Sequence, residues 1–161
     1  MILLPKHDGK THINVYSRGE TQLGRELSNF HCLDIITEDG PFKSIEGYWY
    51  WLSTGREELR TMWGAKAKDY GRLVRGEDWP ETPDFKRKIS SAIKIKLFTL
   101  AFKEVGFIED IRQTLSLPLV HYYWFGDYKL PKVIQPEEGQ WILEVIDEWR
   151  KDVSGWDYFD D

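Results

Sequence analysis

Cysteine is almost absent from this sequence of 161 residues. Cys32 is the only one, so no disulfide can form within the chain, and a zinc site built on cysteines is nearly excluded. The four histidines show no HExxH or similar metal-ligand spacing. The sequence therefore predicts neither a metal site nor a cofactor, and its single thiol suits the reducing environment of the cytoplasm.

Long hydrophobic runs are also missing. The apolar run at residues 1–5 is far shorter than the core of a signal peptide, and no other stretch approaches the length that spans a membrane. We therefore expect a cytoplasmic protein without a membrane partner.

Charge is unevenly distributed, although the formal net charge is −5. Residues 56–103 contain 12 Lys and Arg against 7 Asp and Glu, whereas the rest of the chain contains 10 basic and 20 acidic residues. A basic centre can meet phosphate groups, while an acidic whole argues against indiscriminate binding of nucleic acid. The alternative is that these charges lie on ordinary solvated helix faces.

Aromatic residues are abundant, with eight each of Trp, Tyr and Phe. Such rings bury large areas in a core, and they also stack on flat ligands such as nucleobases. We expect most of them in the core.

The hydrophobic pattern predicts short strands first and helices afterwards. Polar and apolar residues alternate over 12–16, which predicts a strand, and residues 32–36 predict a second one before a hairpin turn at 38–41. Ser44 is the predicted N-cap of a helix that continues to Ser53. Further helices are predicted over 57–63, 65–74, 84–104, 107–115 and 136–153, and an extended segment over 118–124.

These elements predict an α+β fold that is mainly α-helical, with a small N-terminal β-sheet. A chain of this length without repeats or linkers fits a single domain over residues 1–161. The tail over 154–161 is acidic and aromatic, and we expect it to be loosely held.

Six short motifs occur in an order that resembles the NADAR family of N-glycosidases. They extend from about residue 12 to Leu97 and are Ile13-Asn14-Val15-Tyr16-Ser17, Leu27-Ser28-Asn29-Phe30, Ser44-Ile45-Glu46, Gly71-Arg72, Trp79 and Lys96. The resemblance implies a NADAR-like fold and hydrolysis of a ribose C1–N bond. Bacterial members of the family include an N-glycosidase of riboflavin intermediates, and other members remove ADP-ribose from guanine.

Glu46 lies two residues after the predicted cap, in the first turn of a helix. A carboxylate at that position can simply complement the helix dipole. The resemblance instead implies a catalytic role. Cleavage of an N-glycoside develops positive charge at the anomeric carbon, which a carboxylate can stabilise, and a carboxylate can also activate the attacking water.

Lys96 lies within an apolar stripe of the longest predicted helix. At about 100° per residue, Ile89, Ile93, Lys96 and Leu100 fall within about 60° of one another around the helix axis. One interpretation is a lysine whose stem covers apolar surface while its amine reaches water. The other is a partly desolvated amine with a lowered pKa, which attacks C1 of a ring-opened ribose and forms a Schiff base. The resemblance favours this catalytic interpretation.

The resemblance also assigns residues to substrate binding. Trp79 precedes a proline in an irregular segment, where it can stack on a purine or a flavin precursor, or pack in the core. Phe30 would supply a second ring, and Asn29 a short amide for the ribose or the base. Tyr48, in the same predicted helix as Glu46, is a further predicted contact.

Arg18 and Arg72 are predicted to bind phosphate, because a guanidinium group matches phosphate oxygens in a bidentate way. For each of them, a solvated surface arginine is the equal alternative.

The match to the family is weaker after residue 117. We align Trp124, Gly126 and Asp127 with a late loop of the family's site, which makes Asp127 a third catalytic candidate and the other two substrate contacts. His121 follows Leu-Val where family members commonly carry Glu. It either replaces that carboxylate as a general acid or base, or is an ordinary strand histidine.

Two further departures from the family lie beside Glu46. The family usually has His where this chain has Gly47, and often Gln where it has Tyr50.

We expect an ADP-ribosylated guanine in nucleic acid as the substrate, with ribose-phosphate intermediates of riboflavin synthesis as the alternative. A third possibility is a non-catalytic module that binds ADP-ribose or a similar nucleotide.

Overall fold

The computed structural model describes residues 2–76 and 79–155. Over these residues the α-helices are Gln22–Leu27 (α1), Ile45–Thr54 (α2), Gly64–Arg75 (α3), Pro83–Lys103 (α4), Phe107–Gln113 (α5) and Trp141–Val153 (α6). The strands are Ile13–Asn14 (β1), Ile35–Thr37 (β2), Gly40–Phe42 (β3), Leu119–Val120 (β4), Tyr123–Phe125 (β5) and Lys132–Ile134 (β6). Short 3-10 helices occupy Pro5–His7 and Glu57–Thr61. The fold is mixed α+β and largely helical, as predicted.

The strands pair into three small sheets within the described residues. β1 pairs with β4 in parallel, with Ile13 opposite Leu119. β2 and β3 form an antiparallel hairpin at the predicted turn, and β5 and β6 form a second one. Three strands therefore follow residue 118, where the sequence predicts only an extended segment.

The chain divides into two compact units. The first unit comprises Met1–Ser28 and Leu100–Asp161, and the second comprises Asn29–Thr99. Fully buried side chains include Ile13, Leu100, Ile111, Tyr122 and Val153 in the first unit, and Ile45, Tyr48, Leu59, Ala67 and Ile89 in the second. The single domain over 1–161 stays a prediction, and residues 156–161 of the predicted tail lie outside the described residues.

The start of α2 follows from local sequence signals. The Ser44 hydroxyl accepts a hydrogen bond from the Gly47 N–H at 3.0 Å and donates one to the Met62 carbonyl at 2.8 Å. Ser44 therefore caps the helix and also ties its start to the chain that follows Glu57–Thr61. Gly55 ends the helix with a left-handed backbone, φ 68°. The predicted helix is confirmed to within one residue at its end.

The sequence pattern did not predict α1, because its six residues include Gly24 and follow a turn-rich segment. Thr21 caps this helix by accepting a hydrogen bond from the Gly24 N–H at 2.9 Å. Glycine is needed at position 24, since a Cβ there would lie 2.3 Å from the Asn14 carbonyl oxygen. The close approach packs α1 against β1.

A buried polar network surrounds β1 in the first unit. Asp8 accepts a hydrogen bond from the Asn14 N–H at 2.9 Å. The Asn14 side-chain amide binds the N–H and the carbonyl of Tyr122 at 3.0 and 3.1 Å. His12 Nε2 lies 2.8 Å from the Tyr122 hydroxyl. Because these buried polar groups are paired, the network stabilises the segment that contains the first family-like motif.

We expect acidification to destabilise the protein through His12. Burial lowers the pKa of His12 below its usual value of 6.5, although the negative charge of Asp8 opposes this shift. Just below pH 6.5, the folded state therefore binds fewer protons than the unfolded state. This contribution to stability is complete above pH 6.5. The free energy of unfolding then falls by up to about 1.4 kcal/mol per pH unit as the pH decreases from 6.5 toward the lowered pKa of His12.

Urea unfolding between about pH 5 and pH 8 measures this effect. His12→Gln removes the titrating group, so its free energy of unfolding should depend less on pH below 6.5 than that of the wild type. Equal pH dependence of the two proteins would show that His12 does not carry the effect.

Candidate active site

Two of the family-like motifs meet at the start of α2. The Asn29 carbonyl accepts a hydrogen bond from the Glu46 N–H at 3.0 Å. Because N–H groups in the first turn of a helix have no partner within that helix, Asn29 satisfies one of them. Glu46 thus lies beside Asn29 at a helix N-terminus, where the helix dipole favours a negative charge.

Gly47 allows a close approach between α2 and the chain that follows it. A Cβ at this position would lie 2.5 Å from the Leu59 carbonyl oxygen and 3.1 Å from the Met62 carbonyl oxygen. The histidine that the family usually carries here does not fit this backbone arrangement. The departure at Gly47 therefore has a local packing reason.

Tyr50 lies one turn after Glu46 on α2 and packs against α3. Its ring contacts the backbone of Gly71, where a Cβ would come within 2.1 Å of the ring. The Arg75 guanidinium lies over the ring at 5.0 Å from its centroid. Burial raises the pKa of Tyr50, the charge of Glu46 raises it further, and Arg75 and Arg72 oppose them.

We expect Gly71→Ala to weaken the packing of α2 against α3. The free energy of unfolding should fall by about 1–3 kcal/mol, because the Tyr50 ring must move, although alanine favours the helix by about 1 kcal/mol. Denaturant unfolding measures the change. Leu73→Ala is the control on the same helix, since Leu73 is 82% exposed and should change stability by less than about 0.5 kcal/mol. Unchanged stability of Gly71→Ala would contradict the close contact.

Three cations follow one face of α3. Lys68, Arg72 and Arg75 are separated by four and three residues, which places them on the same side of the helix. The Lys68 amine lies 5.8 Å from the centroid of the Phe30 ring. This basic stripe links the predicted site residue Phe30 to Tyr50. Sequence reasoning missed Lys68 and Arg75, although their helical spacing to Arg72 is a signal that could have found them.

Lys96 lies on the buried side of α4, as its periodicity predicts. It is 3% exposed, and Ile89, Ile93 and Leu100 on the same stripe are exposed by 2% or less. Lysine is almost never fully buried without a partner, so this is not an ordinary surface lysine. The position of Lys96 within an apolar stripe is confirmed, and its catalytic role stays a prediction.

Trp79 packs at the end of an aromatic row in the second unit. Its ring centroid lies 4.4 Å from that of Phe85, edge-on, and Phe85 lies 4.6 Å from Trp49 of α2 in the same arrangement. Phe85 and Trp49 are buried, whereas Trp79 is half-buried. Trp79 therefore contributes to the core and keeps part of its surface accessible. Its stacking on a ligand stays a prediction.

Tyr48 is fully buried in the second unit. Its ring lies 4.7 Å from Phe42, its hydroxyl donates to Asp39 at 2.6 Å, and Lys88 pairs with the same carboxylate at 3.1 Å. Burial and the bond to Asp39 raise the pKa of Tyr48. This environment suits a structural residue, and the predicted substrate contact stays a prediction.

His121 belongs to an aromatic group in the first unit. Its Nδ1 donates a hydrogen bond to the Val15 carbonyl at 2.6 Å, and the rings of Tyr16 and Tyr123 lie edge-on to it at 6.3 and 5.1 Å between centroids. Burial raises the pKa of Tyr16, and the charge of the exposed Arg18 opposes that increase. The structure thus places His121 against the Tyr16 ring. The roles of His121 and Arg18 toward a substrate stay predictions.

Trp124, Gly126 and Asp127 lie in and beside the turn between β5 and β6. The exposed Asp127 carboxylate accepts a hydrogen bond from the Lys129 N–H at 2.9 Å, which is typical of a side chain that stabilises a turn. Gly126 has φ 83°, a left-handed backbone that favours glycine. The Trp124 ring packs edge-on to Tyr128 at 5.8 Å. Asp127 therefore stabilises this turn, and its catalytic role stays a prediction.

Metal ligands are not grouped in the part of the chain that the structure describes. Within residues 2–76 and 79–155, no three His, Cys, Asp or Glu side chains lie together so that they could hold a metal ion. Over the same residues, no helix is long and apolar enough to cross a lipid bilayer.

Comparison with known proteins identifies a similar fold. The NMR structure of the Escherichia coli protein YbiA superimposes with a TM-score of 0.56 and 16% sequence identity, over 95% of this chain and 88% of that chain. No protein-family model matches the sequence, and no curated protein matches it either. At this identity the likeness concerns the fold alone. Because YbiA is a NADAR family protein, this chain has a NADAR-like fold, as its sequence motifs predicted.

Proposed function

We propose that this protein is an N-glycosidase, which hydrolyses the bond between ribose C1 and a base nitrogen. The observation that carries the proposal is the hydrogen bond between the Asn29 carbonyl and the Glu46 N–H. It brings together the two motifs that most resemble the NADAR family, although they lie apart in the sequence. Glu46 thus lies in the first turn of a helix, and its backbone contacts that of Asn29, a residue type whose side-chain amide suits a ribose or a base.

Glu46 acts on the carbon and on the water. As the C1–N bond breaks, positive charge develops at C1 and negative charge on the departing nitrogen. The carboxylate stabilises that positive charge, and in the later hydrolytic step it accepts a proton from the water whose oxygen bonds to C1. The nitrogen leaves with the bonding electrons and takes up a proton.

Lys96 supplies the second reactive group. Its amine attacks C1 and displaces the base nitrogen, which departs with one proton of the amine. The bond between C1 and the ring oxygen then breaks, the ring oxygen takes up the second amine proton, and the sugar remains bound through a Schiff base. Water then hydrolyses the Schiff base, which restores the amine and releases the sugar. The burial of Lys96 among apolar residues supports this role, because a shielded Schiff base is protected from premature hydrolysis.

The proposed substrate is ADP-ribosylated guanine in DNA. Two features of the second unit support a ligand with phosphates and flat rings. The basic stripe of Lys68, Arg72 and Arg75 offers three cations on one helix face, and Phe30 and the half-buried Trp79 offer aromatic surface. The packing reasons for Gly47 and Tyr50 also support retained activity, since these departures from the family do not require a loss of function.

The test compares two substrates by mass spectrometry of the released ADP-ribose. One is an oligonucleotide with a single ADP-ribosylated guanine, and the other is free ADP-ribosyl-guanosine. We expect faster release from the oligonucleotide, with strong inhibition by added salt that the free nucleoside does not show. Equal turnover of both would contradict binding of the DNA. Turnover restricted to ribose-phosphate riboflavin intermediates would replace the substrate, and tight binding without release would support a non-catalytic module.

A further inference from the structure

The hairpin of β5 and β6 presents a face that the proposed chemistry leaves unassigned. Over the described residues, its two strands pair only with each other. Tyr123 lies opposite Ile134, and Phe125 lies opposite Lys132. Because successive side chains of a strand point to opposite faces, these four residues share one face and Trp124 lies on the other. We call Tyr123, Phe125, Lys132 and Ile134 the hairpin face.

Apolar side chains of the hairpin face are open to solvent. Phe125 is 55% exposed and Ile134 is 42% exposed, and Lys132 is exposed as well. On the other side of the hairpin, Trp124 and Val133 are half-buried. Large apolar side chains that are grouped and exposed in this way mark a surface for an interaction.

Aromatic surface continues along the hairpin face from Phe125. Tyr123 lies two residues away on the same strand, about 6.6 Å along it. Its ring packs edge-on to those of Tyr16 and His121, with 5.4 and 5.1 Å between centroids. Tyr123, Tyr16 and His121 are half-buried, so each keeps accessible surface. Rings in a row suit a ligand whose own flat groups follow one another along a chain.

The charges of the hairpin favour a polyanion. Residues 121–135 contain two lysines, Lys129 and Lys132, and one acid, Asp127. Both lysines are exposed, and Lys132 lies directly opposite Phe125. Lysine is depleted at the centre of protein–protein interfaces, whereas an amine beside a ring suits a phosphate next to a base. The pattern therefore favours a nucleic acid strand over a protein partner.

We infer that the hairpin face binds unpaired bases of the DNA strand that carries the modified guanine. Phe125 and Tyr123 stack on successive bases, and Lys132 contacts a phosphate of the same strand. The inference rests on the proposed function, because it takes DNA as the substrate. It goes beyond that function by assigning DNA binding to residues of the first unit that lie outside the proposed catalytic groups.

Phe125→Ala tests the inference with an unmodified single-stranded oligonucleotide, whose binding is measured by fluorescence anisotropy. The dissociation constant should rise about 5- to 100-fold, because one stacked base loses its ring. Phe125→Trp keeps a ring and should bind within about twofold of the wild type. Lys132→Gln should weaken binding at least about twofold and reduce its salt dependence. Because both side chains are exposed, thermal stability should stay unchanged.

Phe102→Ala is the matched control, because Phe102 is a 65% exposed ring of the first unit that lies on α4 and not on the hairpin. It should leave DNA binding within about twofold of the wild type. No binding of the oligonucleotide by the wild type, unchanged binding in Phe125→Ala, or an equal loss in Phe102→Ala would overturn the inference. So would a dimer in sedimentation experiments that Phe125→Ala dissociates without a change in DNA binding, because the hairpin face would then bind a second copy of the chain.

Two substrates separate this inference from the proposed function. Phe125→Ala should raise KM for the ADP-ribosylated oligonucleotide with kcat within about twofold, and it should leave release from free ADP-ribosyl-guanosine unchanged. An equal loss with the free nucleoside would contradict a contact with neighbouring bases. DNA binding that depends on Phe125 in a protein that releases no ADP-ribose would support the hairpin face and refute the glycosidase. Release from the free nucleoside, with DNA binding independent of Phe125, would support the glycosidase and refute the hairpin face.

Discussion

Glu46→Gln should lower kcat for ADP-ribose release by about 10²- to 10⁴-fold. The amide has nearly the same shape as the carboxylate, but it cannot accept a proton from water or offset positive charge at C1. The backbone hydrogen bond from residue 46 to the Asn29 carbonyl does not depend on the side chain. The variant should therefore stay folded, with a loss of at most about 1 kcal/mol from the helix dipole.

Glu58→Gln is the matched control for this experiment. Glu58 is an exposed acid in the same unit, at the start of the Glu57–Thr61 helix, and the substitution changes the charge by the same amount. Its kcat should remain within about twofold of the wild type. If Glu46→Gln retains full activity, Glu46 is not the catalytic carboxylate.

Lys96→Met should abolish both turnover and covalent trapping. Methionine preserves an unbranched apolar stem at a position that is 3% exposed, and it removes the amine. We expect kcat to fall by about 10²- to 10⁴-fold, the range typical of a group that takes part in the reaction. With substrate and borohydride present, the wild type should gain the mass of the reduced sugar adduct, and the variant should not.

Lys94→Met provides the comparison, because Lys94 is an exposed lysine on the same helix. It should form the adduct as the wild type does. An adduct that forms equally in Lys96→Met would place the Schiff base elsewhere. Full activity of Lys96→Met without any adduct in the wild type would remove the amine from the mechanism and leave Glu46 to act with water alone.

Local signals explain the parts of the fold and site that the sequence predicts well. Ser44 and Gly55 mark the two ends of α2 through capping chemistry that involves only nearby residues. The burial of Lys96 follows from its angle around α4, because a helix that packs one face against a core buries whatever lies on that face. These features need no knowledge of distant parts of the chain.

Features that depend on distant residues could not be predicted in the same way. The parallel pairing of Ile13 with Leu119 joins residues more than a hundred positions apart, and no local pattern encodes that choice. Gly71 weakens a helix on propensity alone, yet its value lies in the contact with the Tyr50 ring. NADAR family members usually carry His at the position of Gly47, whereas in this chain the close approach of the Leu59 carbonyl requires glycine.

The most direct measurement asks which bond of the substrate is broken. An oligonucleotide with one ADP-ribosylated guanine is incubated with the wild-type protein, and the masses of the oligonucleotide and of the released fragment are determined. Cleavage at the ribose C1–N bond predicts an oligonucleotide of unmodified mass and an equal amount of free ADP-ribose. An oligonucleotide that keeps a ribose or phosphoribose group, or that keeps the whole modification, would contradict the proposed N-glycosidase.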